Sequence, residues 1–223
     1  MIPIRDTAPC YSKPIVTWCL IGVCTVVFLA MYFMPDAWSY RLLYLFGMVP
    51  VRYANGWEGN FGLPFDGYLS FATNLFIHSS WLHLLVNVWF LWIFADNVED
   101  RMGRWRFLGF YLWCGVFATA LQWYFDPELS IPVVGASGAI AGVLGAYFFL
   151  YPLERVIVLV PPLLFNIPAI AFLGVWILWQ LHNATTEMLF KNGPVDVAWW
   201  AHLGGFIVGA ISYRWFLRPW HRQ

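Results

Sequence analysis

Long stretches of this chain carry no charge, and they recur six times. Uncharged runs cover 15–34, 79–95, 107–125, 132–153, 163–183 and 197–213. A helix needs about 20 predominantly apolar residues to cross a bilayer. The second run extends to 98 in the predicted helix, and Trp215, Phe216 and Leu217 carry the last past Arg214 to 217. The pattern predicts an all-α, polytopic membrane protein: a six-transmembrane helical bundle with spans at 15–34, 79–98, 107–125, 132–153, 163–183 and 197–217, forming one membrane domain over 1–223. The 36–78 connection between the first two helices is long and holds Trp57, Phe61, Phe65, Tyr68 and Phe71, which suits a loop lying partly in the membrane interface. The first run is too long for a typical signal-peptide core and shows no evident cleavage site, so it is expected to be a retained span.

Composition agrees with that pattern. Hydrophobic residues make up 61% of the 223 positions and charged ones 11%, where soluble domains carry roughly 25% charged residues. Net charge is zero and no basic tract points to nucleic acid. Cys10, Cys19, Cys24 and Cys114 form no CxxC or spaced framework, which disfavours a zinc or redox role. Basic residues set the direction. In a six-span layout Arg5, Lys13, Arg101, Arg104, Arg106, Arg155, Arg214, Arg218 and Arg222 fall on one side, against Arg41, Arg52 and Lys191. The positive-inside rule then puts both termini in the cytoplasm.

Direction decides where the polar residues lie. Helices two, four and six would all descend from the outer face, carrying His83 and Asn87, Ser137, and His202 in their first turns. With helix four starting near Val133 and helix six near Ala198, Ser137 and His202 each lie about four residues in, roughly 6 Å deep at about 1.5 Å per residue. Gly138 and Gly142 on helix four, and Gly205 and Gly209 on helix six, form GxxxG spacings that let two backbones approach in lipid.

Ser and His together are the minimum for nucleophilic acyl transfer, the imidazole taking the hydroxyl proton and returning it to the leaving amine. Every Asp and Glu lies outside the six uncharged spans, so a dyad is expected rather than a triad. Asn87, His83 and the Ser137 backbone N–H are candidate donors to an oxyanion. Each residue also has a plain reading. Ser137 as a packing hydroxyl bonded back along its helix, His202 as an interfacial histidine, and His83 with Asn87 as interhelical hydrogen-bonding groups all stay open. The Glu99–Arg101 segment is expected to be a solvated cytoplasmic turn. The plain readings leave the convergence of three helices on one depth unexplained.

Four motifs, taken together and in order, resemble the rhomboid family of intramembrane serine proteases: HSSWLHLLVN (78–87), VEDRMG (98–103), GASG (135–138) and AHLGGFIVG (201–209). The likeness covers roughly 70 to 215. GASG is not the GxSxG nucleophile elbow, since Ala139 stands at the last position. The resemblance implies Ser137 as nucleophile and His202 as general base, with His83, Asn87 and the Ser137 amide as oxyanion stabilisers. It implies that Gly135 shapes the loop before the serine, that His78 helps hold a water-accessible cavity, and that no metal or cofactor is used. Substrates would be single-span membrane proteins cut near the outer end of their transmembrane helix.

Two departures stand out. Ala141 replaces a Tyr that some members pack on the histidine ring, and GYLSFATNLF replaces a segment that in some carries Trp-Arg. A catalytically inactive relative that binds membrane substrates is the main rival function. A haem or metal protein using His83 and His202 lacks a zinc signature, and a proton-relay transporter lacks an embedded carboxylate. The expected location is a bacterial plasma membrane.

Overall fold

The computed structural model describes residues 1–54, 67–190 and 197–219. Trp57, Phe61, Phe65, Lys191 and Arg222, used in the loop and orientation expectations, lie outside these described residues.

The chain is mostly helical. The longer helices are α1 (Ile15–Tyr32), α2 (Asp36–Phe46), α5 (Trp81–Met102), α6 (Arg104–Phe125), α7 (Ser137–Leu150), α8 (Ala169–Phe190) and α9 (Trp199–Phe216). Among the described residues two single-turn α-helices, α3 (Val51–Ala54) and α4 (Ser70–Thr73), lie between α2 and α5. Among the described residues two helices, α1 and α5, are long and apolar enough by themselves to cross a membrane. The α7 helix has 14 residues, and the polar residues His182, Asn183, Thr185, Thr186 and Glu187 dilute the C-terminal half of α8.

The predicted fifth span is corrected. Residues 163–168 are not helix but strand β3 (Leu163–Pro168), paired antiparallel with β2 (Arg155–Val160), which pairs in turn with β1 (Ile2–Asp6). β-branched Val156, Ile157, Val158 and Val160 favour extended backbone, and Pro161-Pro162 makes the hairpin turn. Val156 and Val158 point inward and are fully buried. The 36–78 connection is also more regular than a loop, since it contains α2, α3 and α4.

The solvated turn expected at Glu99–Arg101 is instead the last turn of α5. Glu99 is 1% exposed, and its carboxylate accepts from the Val16 and Thr17 amides and the Thr17 hydroxyl. Those amides belong to the first turn of α1, whose N–H groups lack intrahelical partners and carry the positive end of the helix dipole. Asp100 takes the Ser12 amide at 2.9 Å just before it. Two acids of α5 therefore fasten the start of α1.

The tightest packing joins α7 to α9. A Cβ placed on Gly205 would lie 1.9 Å from the Gly138 carbonyl oxygen, and one on Gly209 would lie 2.0 Å from that of Gly142. Backbone meets backbone there, as the two GxxxG spacings predict. Outside this core the helices expose Trp18 and Val26 on α1, Trp92 on α5, Trp179 on α8 and Ile211 on α9, each at least 46% accessible. Apolar area on this scale marks a surface not meant for water.

Candidate functional site

The α7 helix begins at Ser137 itself rather than four residues earlier, as the sequence pattern suggests. Gly135 has φ +120°, a backbone conformation side chains rarely adopt, and it ends an extended approach in which Val133 bridges Met48. Its amide donates to the Asn74 carbonyl at 2.9 Å, and Asn74 is itself fixed by a 3.0 Å bond from its side-chain amide to Thr119 on α6. Ser137 therefore opens a helix whose first amides have no partner one turn back.

Ser137, His202, His83, Asn87, Trp176 and Gln180 line one cavity of about 420 Å³. The Ser137 hydroxyl and the His202 ring share this cavity without a hydrogen bond between them, and such contacts are commonly loose before substrate binds. Three helices supply the polar residues expected at this site: α5, α7 and α9.

His83 lies under the turn before Ser137. A Cβ on Gly135 would sit 2.4 Å from His83 Nε2, so the ring packs where only glycine leaves room. Its Nδ1 lies 3.2 Å from the Ser79 hydroxyl, and Ser80 caps α5 by accepting from the His83 amide. The Asn87 side-chain amide donates to the His83 carbonyl at 2.7 Å, one turn back, which leaves its second N–H available. His78 is 3% exposed, its ring 5.1 Å from that of His83, and neither of its nitrogens has a partner among the described residues.

Gln180 escapes the sequence motifs. His202 Nδ1 is 2.8 Å from Gln180 Oε1, reaching across from α9 to α8. Trp176 and Trp199 flank the imidazole with ring centroids 6.1 Å away, the first tilted by 32° and the second edge-on at 87°. These groups occupy the ring-holding role left open by Ala141. One cue is present in the sequence: Gln180 is the first polar side chain after the apolar run 169–179. Gln122 on α6, equally buried, accepts from the Ala201 amide at 3.1 Å and steadies the start of α9. Among the described residues no three His, Cys, Asp or Glu side chains are grouped to hold a metal.

Comparison with known sequences matches residues 66–219, more than half of the chain, to the Rhomboid domain family. The mitochondrial Rhomboid protein 1 of Saccharomyces cerevisiae is 26% identical over 208 residues, covering 90% of this chain and 52% of that protein. The putative rhomboid protease YdcA of Bacillus subtilis is 31% identical over 114 residues, covering 49% of this chain and 57% of that one. The chloroplastic Rhomboid-like protein 11 of Arabidopsis thaliana is 38% identical over 78 residues, covering 35% and 28%. The chain thus spans about half the length, or less, of two of these relatives. With mitochondrial and chloroplastic proteins beside a bacterial one, the relatives do not support the expected bacterial plasma membrane over an organelle membrane.

Proposed function

The chain belongs to the rhomboid family, whose members are embedded in membranes, and from that premise we propose that it is an intramembrane serine endopeptidase working through a Ser137–His202 dyad. One observation carries this reading: a single cavity gathers Ser137, His202, His83 and Asn87 from three helices.

In the proposed reaction Ser137 Oγ attacks a peptide carbonyl carbon while His202 Nε2 takes its proton. The carbonyl oxygen becomes an oxyanion facing the Asn87 side chain, His83 and the Ser137 amide. The C–N bond then breaks, His202 passes the proton to the leaving amine, and the acyl-serine is hydrolysed by a water that His202 activates. Serine acyl transfer of this kind calls for neither metal nor cofactor.

The proposed setting is a six-span layout of α1, α5, α6, α7, α8 and α9, with both termini in the cytoplasm and one membrane domain over 1–223. Exposed apolar side chains on α6, α8 and α9 support spans that hydropathy alone does not select. The pairing of β1 with β2 and the packing of α1 on α5 support a domain wider than the family-matched region. Substrates would be single-span membrane proteins cut near the outer end of their helix, with the lipid bilayer as the constant partner. A helix of 14 residues is about 21 Å long, against about 30 Å of hydrocarbon, which would leave Ser137 recessed below the outer surface.

The test is cleavage of a single-span substrate by the purified full chain in liposomes. Ser137→Ala and His202→Ala are each expected to abolish product with the fold intact, and Asn87→Ala to lower the rate roughly 10²-fold, the usual cost of one oxyanion donor. Wild-type turnover by Ser137→Ala would overturn the proposal.

A further inference from the structure

Gln180 is 4% exposed, a neutral amide buried midway along α8 where its apolar first half ends. Burying an amide is unfavourable unless it is hydrogen-bonded, so both ends of it should have work to do. Its Nε2 donates to the Trp176 carbonyl one turn earlier, at 3.4 Å. That fixes which end faces α9: the carbonyl oxygen, 2.8 Å from His202 Nδ1. A carbonyl oxygen can only accept. The proton in this bond therefore sits on His202 Nδ1, and the neutral ring carries its lone pair on Nε2, the nitrogen a general base must present.

We infer that Gln180 is a positioning residue that sets the His202 tautomer and aims Nε2 into the Ser137 cavity. It does from α8, with a neutral acceptor, what a carboxylate does in a Ser-His-Asp triad. The flanking Trp176 and Trp199 restrict the remaining rotation of the ring. The carboxyl of Glu or Asp would impose the same tautomer, but it would bury a charge, and an amide avoids that cost. This inference rests on the dyad proposed above.

The test couples a tautomer measurement to a nucleophile measurement on the full chain. Nitrogen NMR of ¹⁵N-histidine-labelled protein reports which ring nitrogen is protonated, with His202 assigned by the signals lost in His202→Ala. The expected spectrum has a protonated Nδ1 and a bare Nε2. Separately, the rate of Ser137 labelling by a fluorophosphonate probe is expected to fall roughly 10–100-fold in Gln180→Met, the usual cost of losing a partner that orients a functional histidine. Met keeps the side chain's length and apolar packing. Gln180→Glu keeps an acceptor and is expected to recover most of the rate, which a merely space-filling role would not require. Two results overturn the assignment while leaving the dyad standing: a His202 ring protonated on Nε2, or wild-type labelling of Gln180→Met. Absence of Ser137 labelling in the wild type would instead remove the dyad. Should Gln180→Met fail to fold, the wild-type nitrogen spectrum decides alone.

Discussion

Gly135 shows how much one residue can settle. Its φ of +120° and the His83 ring 2.4 Å from where a Cβ would stand make two separate demands for glycine. Gly135→Ala is therefore expected to cost about 1–3 kcal/mol in backbone strain and to swing His83 out of the cavity. Thermal unfolding should drop modestly while substrate cleavage falls much further; equal and small losses would show that the ring tolerates the methyl group. At this scale the sequence is legible where chemistry-bearing residues are rare in their surroundings. Ser137, His202, His83 and Asn87 stand out because polar groups in apolar runs are few. Gln180 ends an apolar run, but His182 and Asn183 follow it, no motif marks it, and its partner lies 22 positions away on another helix. Only the crossing of α8 and α9 gives it meaning.

Between elements, the glycine spacing on α7 and α9 is both legible and consequential. Gly205→Ala would put a methyl 1.9 Å from backbone, which cannot yield as a side chain does, so the two helices must part. An overpacking cost of about 1–3 kcal/mol is expected, with loss of cleavage because the same two helices carry Ser137 and His202. Gly22→Ala on α1 is the matched control: nothing lies within 4 Å of its Cβ, and the better helix former should stabilise by roughly 0.5–1 kcal/mol. Thermal unfolding of the two variants side by side checks both signs. The β-hairpin escapes the hydrophobic pattern for a physical reason. A buried or lipid-facing strand and a helix both read as uninterrupted apolar residues, so periodicity does not separate them. The β-branched run and the paired prolines are the available cues. Glu99 reads as solvated because a carboxylate near a run of charges ordinarily faces water, and nothing local reveals that α1 will bring it three donors.

For the molecule as a whole, the N-terminal segment that carries β1 is tied to the bundle at several points. The Trp89 indole donates to the Pro3 carbonyl at 2.6 Å, Asn97 donates to the Ala8 carbonyl at 3.0 Å, and Tyr147 donates to the Asp6 carboxylate. Burial pushes the Asp6 carboxyl up from 3.8 to about 6, with the Glu154 charge adding a little and the Tyr147 hydrogen bond opposing. The folded chain thus holds a proton that the unfolded chain has released. Stability from this group is complete below about pH 4 and is lost as pH rises through about 6. Asp6→Asn removes that dependence, so its melting temperature relative to wild type is expected to climb across this interval; a constant difference would show that Asp6 does not titrate there. The same strand has a consequence for synthesis. Arg155 and its partner Thr7 are 148 positions apart, so at typical ribosome speeds β1 emerges roughly 7–30 s before the strand it pairs with. The α1 helix likewise waits for the carboxylate that seats its first turn. Neither segment can complete these contacts until its partner, made later, has left the ribosome.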